Sequence, residues 1–145
     1  MGVFDKTDEG ERAGCPDLFK TVTRVRPALH CFGQIHEAWG AKSVRWKNEL
    51  IDGKIEEPSH FNAIDNLRSE VIGDLSSLRL SKHNTPETTR MKEERKAELE
   101  RLSYVDFGSL ATKEVEIYFV NASVLGDGEL TQKPFCATIK LPRAE

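Results

Sequence analysis

Apolar and polar positions divide the chain into short stretches of differing period. Residues 2–14 are polar, carry Gly2, Gly10 and Gly14 and show no period, so they read as an exposed loop. Leu18, Val22 and Val25, with Phe19 alongside, then recur at helical spacing. This predicts a helix opened by Pro16, with Asp17 favourably placed in its first turn. Pro27 ends the helix and pushes the residue before it toward extended geometry. Ala28 to Phe32 is a short apolar run and predicts a buried strand that stops at Gly33.

Lys42 to Lys47 alternates polar and apolar residues, which predicts a second strand before a hydrophilic turn at Asp52-Gly53. Ile64, Leu67, Val71, Leu75 and Leu78 return to helical spacing and predict a helix, weakened by Gly73. Thr85 and Pro86 carry the signature of a helix start. The body that follows, to Leu102, bears opposite charges three and four residues apart and little apolar surface, so it reads as solvent-facing. Val115 to Val120 and Phe135 to Leu141 predict two further strands, separated by a Gly-Asp-Gly turn region from Leu125 to Gln132. The expected class is α/β. Residues 54–108 look like a helical, charged insertion between strands that could otherwise form an antiparallel meander.

Composition agrees with a large polar excursion. The 145 residues are 38% hydrophobic and 31% charged, on the polar side of globular averages. A formal net charge of −3 offers no field for nucleic acid or an acidic membrane. Three cysteines fit neither a disulfide framework nor a zinc-finger spacing. Cys31 and Cys136 lie in apolar runs and read as buried small hydrophobes. No apolar run is long enough to span a membrane, and no signal peptide is visible, so a cytoplasmic location is expected. The sixth position, Lys6, does not suit a myristoylation motif.

Chemistry-bearing residues gather in one place. After Phe32 and Gly33 come Gln34, His36, Glu37 and the indole N–H of Trp39. A strand end that opens onto polar groups is where α/β proteins place ligands. Locally, His36 is either a metal ligand or an ordinary turn residue. Glu37 either orients His36 or caps the turn. His30, inside the apolar run, reads as a hydrogen-bonded core residue, and His60 and His83 read as solvated. Asp5 and Asp8 lack the spacing of a calcium loop. No nucleophile elbow or phosphate-cradling glycine loop occurs.

The run from Arg26 to Gly40, RPALHCFGQIHEAWG, resembles the last metal-binding block of the calcineurin-like metallophosphoesterases. Gly14-Cys15-Pro16-Asp17-Leu18 before it and Val120-Asn121-Ala122-Ser123 after it match flanking blocks of one subgroup, in order and spacing. The resemblance implies the C-terminal portion of a two-sheet α/β sandwich, making residues 1–145 a partial domain with 54–108 inserted. It also implies a divalent metal pair of the manganese, iron or zinc class and a phosphoester or nucleotide substrate.

Under the resemblance, His36 takes the place of one metal ligand and Gln34 stands where the family carries another histidine. Gly33, Glu37 and Asn121 become supporting positions around them. An amide oxygen is a weak neutral ligand, and the family's earlier ligand blocks have no match in this chain. The resemblance therefore implies a metal-dependent phosphoesterase relative that is inactive alone and open to self-association through an exposed sheet edge. The alternative is a non-enzymatic remnant that binds a nucleotide or a protein.

Overall fold

The computed structural model describes residues 2–75, 78–110, 115–125 and 132–139. Helix α1, Pro16–Val25, begins at proline and ends where Arg26 turns left-handed, its N–H donating to the Val22 carbonyl. Strand β1, Leu29–Phe32, follows at once, then a single 3-10 turn over His36–Ala38 and strand β2, Gly40–Trp46. A short helix α2, Asn48–Ile51, precedes strand β3, Ile64–Asp74. Helix α3 covers Pro86–Arg101, and strands β4, β5 and β6 cover Val105–Leu110, Glu116–Asn121 and Phe135–Ile139. The architecture is mixed α/β.

Four strands form one sheet in the order β1-β5-β2-β3, and β4 pairs with β6 in a separate two-stranded sheet. Strand β5 runs parallel to β1 and antiparallel to β2, so the main sheet is mixed where a meander was expected. This pairing brings the ends of β1 and β5, at Phe32 and Asn121, beside the start of β2 at Gly40. Gly40 has a steric reason to be glycine. A Cβ there would lie 2.7 Å from the Phe4 ring and 2.9 Å from the Gly73 carbonyl.

Helix α1 packs one face of the sheet. Phe19 meets Trp46 edge-on at 6.1 Å and stacks with Phe119 at 6.4 Å, and Trp46 meets Phe119 at 6.2 Å. Val22, Val44, Leu50, Ala63, Ile64 and Ile117 close the cluster around these rings. The buried stripe of α1 is Phe19, Val22 and Thr23. The expected stripe of Leu18, Val22 and Val25 was rotated, because Leu18 and Val25 are exposed. The aromatic pair on the sheet selects Phe19, and periodicity could not distinguish it from its neighbour.

The predicted helix over Ile64–Leu78 is a correction: residues 64–74 form β3, an edge strand on β2. The apolar spacing there does not mark a buried face, since Leu67 is 99% and Val71 50% exposed. Backbone pairing with β2 prevails over a fortuitous period. The ladder is broken where β2 advances from Ser43 to Arg45 while β3 passes from Glu70 to Asp65. Ser69 fills the gap, accepting the Arg45 N–H at 3.0 Å and donating to the Asp65 carbonyl at 2.6 Å. The Asp65 carboxylate accepts the N–H groups of Leu67 and Arg68 in an Asx turn. Part of the 54–108 stretch is thus a strand of the main sheet, and its helical part is α3.

Helix α3 matches its expectation. Thr85 accepts the Thr88 N–H, Arg90–Glu94 and Arg95–Glu98 pair along its surface, and none of its residues is buried. Strand β4 and helix α2 had no prediction. Cys31 and Cys136 are exposed, against expectation. Each alternates with an inward neighbour, Cys31 with His30 and Phe32 and Cys136 with Phe135, so the strand period turns it outward. The turn at residues 126–131 and the end of the last predicted strand, Lys140 and Leu141, lie outside the described residues. No helix among the described residues is long and apolar enough to cross a membrane.

The rotation of α1 has a measurable consequence. Phe19→Ala is expected to cost about 3–5 kcal/mol in urea unfolding, and Leu18→Ala less than about 0.5 kcal/mol. Equal costs would return the stripe to its expected face.

Candidate functional site

The turn after β1 sits at the shared end of β1 and β5, and the chain holds it from several sides. Asn121, fully buried at the end of β5, donates through one amide nitrogen to the Ile35 carbonyl at 2.7 Å and the Phe4 carbonyl at 3.2 Å. Its oxygen accepts the Ser123 N–H at 3.2 Å. Both amide hydrogens and the oxygen are used, so the side chain is satisfied where water does not reach. The Ala122 N–H donates to the Phe32 carbonyl at 2.8 Å, continuing the parallel pairing past the strand ends.

The other end of the turn is fixed by aromatic and amide contacts. Trp39 is buried, stacks on Phe135 with ring centres 4.7 Å apart, and donates its indole N–H to the Lys133 carbonyl at 2.9 Å. That N–H is therefore committed to structure and leaves the set of candidate ligand groups. Gln132 donates to the His36 carbonyl at 2.8 Å, and the Leu75 N–H donates to the Trp39 carbonyl at 3.0 Å.

Within this frame Gln34 is exposed and has φ +75°, a left-handed conformation uncommon outside glycine. Gly33 is exposed, and a Cβ there would meet only the Ser123 backbone nitrogen at 4.0 Å. Steric space therefore does not require glycine at that position. His36 and Glu37 are half-buried and line one cleft of about 590 Å³ with Trp39, Arg79 and one face of α3. No hydrogen bond joins the Glu37 carboxylate to the His36 ring among the described residues, and the turn has no side-chain cap. Glu37 is thus a cleft-lining carboxylate.

These donors do not suit a metal pair by themselves. They offer one imidazole and a neutral amide, and no three His, Cys, Asp or Glu side chains come together as a metal site among the described residues. Asn121 is a structural hub, which the sequence placed only as a supporting position. The roles of Gln132, Lys133 and Asp5 carried no local signal. Asp5 is fully buried and paired with Arg12 at 2.8 Å, and it accepts the Gly2 N–H. Burial alone would raise its pKa. The donors at the head of the chain and Arg12 outweigh burial and hold it low.

Two histidines depart from expectation. His30 lies against Phe32 and Phe119, each at 5.5 Å, and its buried Nε2 has no hydrogen-bond partner among the described residues. His60 is half-buried against Phe61 with ring centres 3.8 Å apart, and its buried Nε2 is likewise unpartnered. The head of the chain packs on it so closely that a Cβ on Gly2 would lie 2.2 Å from the ring. Burial lowers the pKa of both histidines, with Arg12 adding to the effect at His60. His83 is exposed, as expected.

No protein-family model matches the chain, and no solved structure does. Local similarity connects it to two Caenorhabditis elegans proteins. UPF0046 protein K07C11.7 is 49% identical over 43 residues, 30% of this chain and 14% of that protein. UPF0046 protein T07D4.2 is 49% identical over 41 residues, 28% of this chain and 10% of that protein. The chain thus spans a small fraction of the curated relatives it matches.

Asn121→Ala is expected to destabilise the chain by about 1–3 kcal/mol in chemical unfolding by stranding buried carbonyls. Asn121→Asp is expected to cost more, because an acceptor would face the Ile35 and Phe4 carbonyls. A neutral effect of both would remove the hub. The histidines set a pH dependence of known sign. With folded pKa values below those of the unfolded chain, their contribution is complete above about pH 6.5 and is lost as pH falls toward the folded values. Thermal unfolding should show a lower midpoint at about pH 5 than at about pH 7.5, and His30→Phe should flatten that slope.

Proposed function

We propose that this chain carries the final metal-binding block of a calcineurin-like metallophosphoesterase domain, with other ligand blocks required from outside it. The reading is supported by local similarity to UPF0046 proteins, a metallophosphoesterase-related family. The observation that carries it is the placing of His36 in a braced turn at the shared end of two parallel strands. In the proposed whole domain, the main sheet belongs to a two-sheet sandwich and part of 54–108 is an insertion. His36 and Gln34 contribute to a divalent metal pair of the manganese, iron or zinc class. Such a pair would supply Lewis-acid chemistry toward the substrate class, a phosphoester or nucleotide.

Alone, the chain is catalytically incompetent on this reading, because one imidazole and one amide do not hold two metals. Cytoplasmic residence and self-association through the outer edge of β1, an end strand of the sheet among the described residues, belong to the same proposal. A second reading, a non-enzymatic protein that binds a nucleotide or a protein partner, draws on the cleft between the turn and α3. Calorimetry with mononucleotides, with and without manganese, separates the two: metal-independent binding favours the second.

Incubation with a chromogenic phosphodiester and manganese should give no turnover above buffer, and turnover abolished by His36→Ala would refute incompetence. Gln34→His should tighten zinc binding roughly ten- to a hundredfold by supplying a second imidazole, a gain that His36→Ala removes. No gain would sink the assignment of positions 34 and 36 as ligands.

A further inference from the structure

Helix α3 is an unusual neighbour for the His36 turn. It buries none of its residues, yet Lys92, Lys96 and Leu99, at i, i+4 and i+7, line the cleft that His36 and Glu37 line. Lys92 and Leu99 are half-buried, whereas the other residues from 91 to 100 are exposed, so one coherent face is directed at the turn. The helix does not close-pack against the body. A second cavity, of about 270 Å³, lies between its Arg95 and Leu99 and the chain at Val71, Asp74 and Val105.

Polar links in series attach this face. The Lys92 ammonium donates to the Arg79 carbonyl at 2.7 Å, and the Arg79 guanidinium pairs with the Asp8 carboxylate in the loop before α1. Arg79 and Asp8 are 48% and 60% exposed, so salt screens their pair and its contribution is small. The helix is ordered within itself by its Thr85 cap and surface pairs and buries none of its residues against the body. A helix held over a cleft by weak, screened links has the mechanics of a cover that moves as a unit.

We propose that α3 is a detachable cover over the His36 turn, clipped through Lys92, Arg79 and Asp8, which controls access of ligands to that turn. The cover operates whether or not His36 is a metal ligand, so its test stands apart from the metal assays. Carbethoxylation with diethyl pyrocarbonate, mapped by peptide mass spectrometry, reads the accessibility of each histidine. His83, exposed and outside the cleft, is the internal reference.

On the unaltered chain, raising salt from about 0.05 to about 0.5 M should increase the His36-to-His83 rate ratio about three- to fivefold, the range an exposed ion pair commands. Arg79→Ala and Lys92→Ala should produce a similar rise at low salt. Arg90→Ala, which breaks a pair internal to the helix, should leave the ratio unchanged. A ratio flat across the salt range overturns the proposal, even if a variant fails to fold. So does an equal rise in Arg90→Ala, which would trace the change to fraying of the helix.

Discussion

The buried amide of Asn121 is the constraint on which the shape of the site depends. Its nitrogen satisfies carbonyls of the turn and of the loop before α1, and its oxygen satisfies the backbone just beyond β5. Three chain segments that share no secondary structure are thereby fixed to one strand end. An apolar side chain of the same size would leave those groups without water or partner, at a cost of about 1–3 kcal/mol out of a domain's net stability of about 5–15 kcal/mol. The position of His36 is secured by this hydrogen-bonding solution and by Trp39 and Gln132 on its far side. Among the described residues the imidazole itself makes no hydrogen bond that holds the turn.

Much of the scaffold near the site was legible because its signals are local. Pro16, Pro27 and Gly33 punctuate α1 and β1, and the alternation from Lys42 to Lys47 marks β2. Thr85-Pro86 placed the start of α3. Elements decided by tertiary pairing were not legible. Strand β3 carries an apolar spacing suited to a helix, and only the open edge of β2 makes it a strand. Phe19 displaces Leu18 from the core because Trp46 and Phe119, far along the chain, form its seat.

The candidate site divides along the same line. The clustering of Gln34, His36 and Glu37 is visible in sequence because the residues are adjacent. The groups that brace them come from far along the chain: Asn121 lies in the Val120–Ser123 block, whereas Gln132 and Lys133 have no motif of their own. Trp39 shows the limit of adjacency: its indole N–H stood among the candidate polar groups, and the Lys133 carbonyl claims it. Asp5, an unremarkable carboxylate in a polar loop, is fully buried with a guanidinium beside it.

The span of those braces has a kinetic meaning. Ile35 and Asn121 are 86 positions apart, Trp39 and Lys133 are 94 apart, and His36 and Gln132 are 96 apart. A chain made from its amino end at about 5–20 residues per second exposes the turn for several seconds before its supports exist. Closing loops of that length is also intrinsically slow. The His36 turn is therefore made well before its supports and is among the last segments to acquire its form.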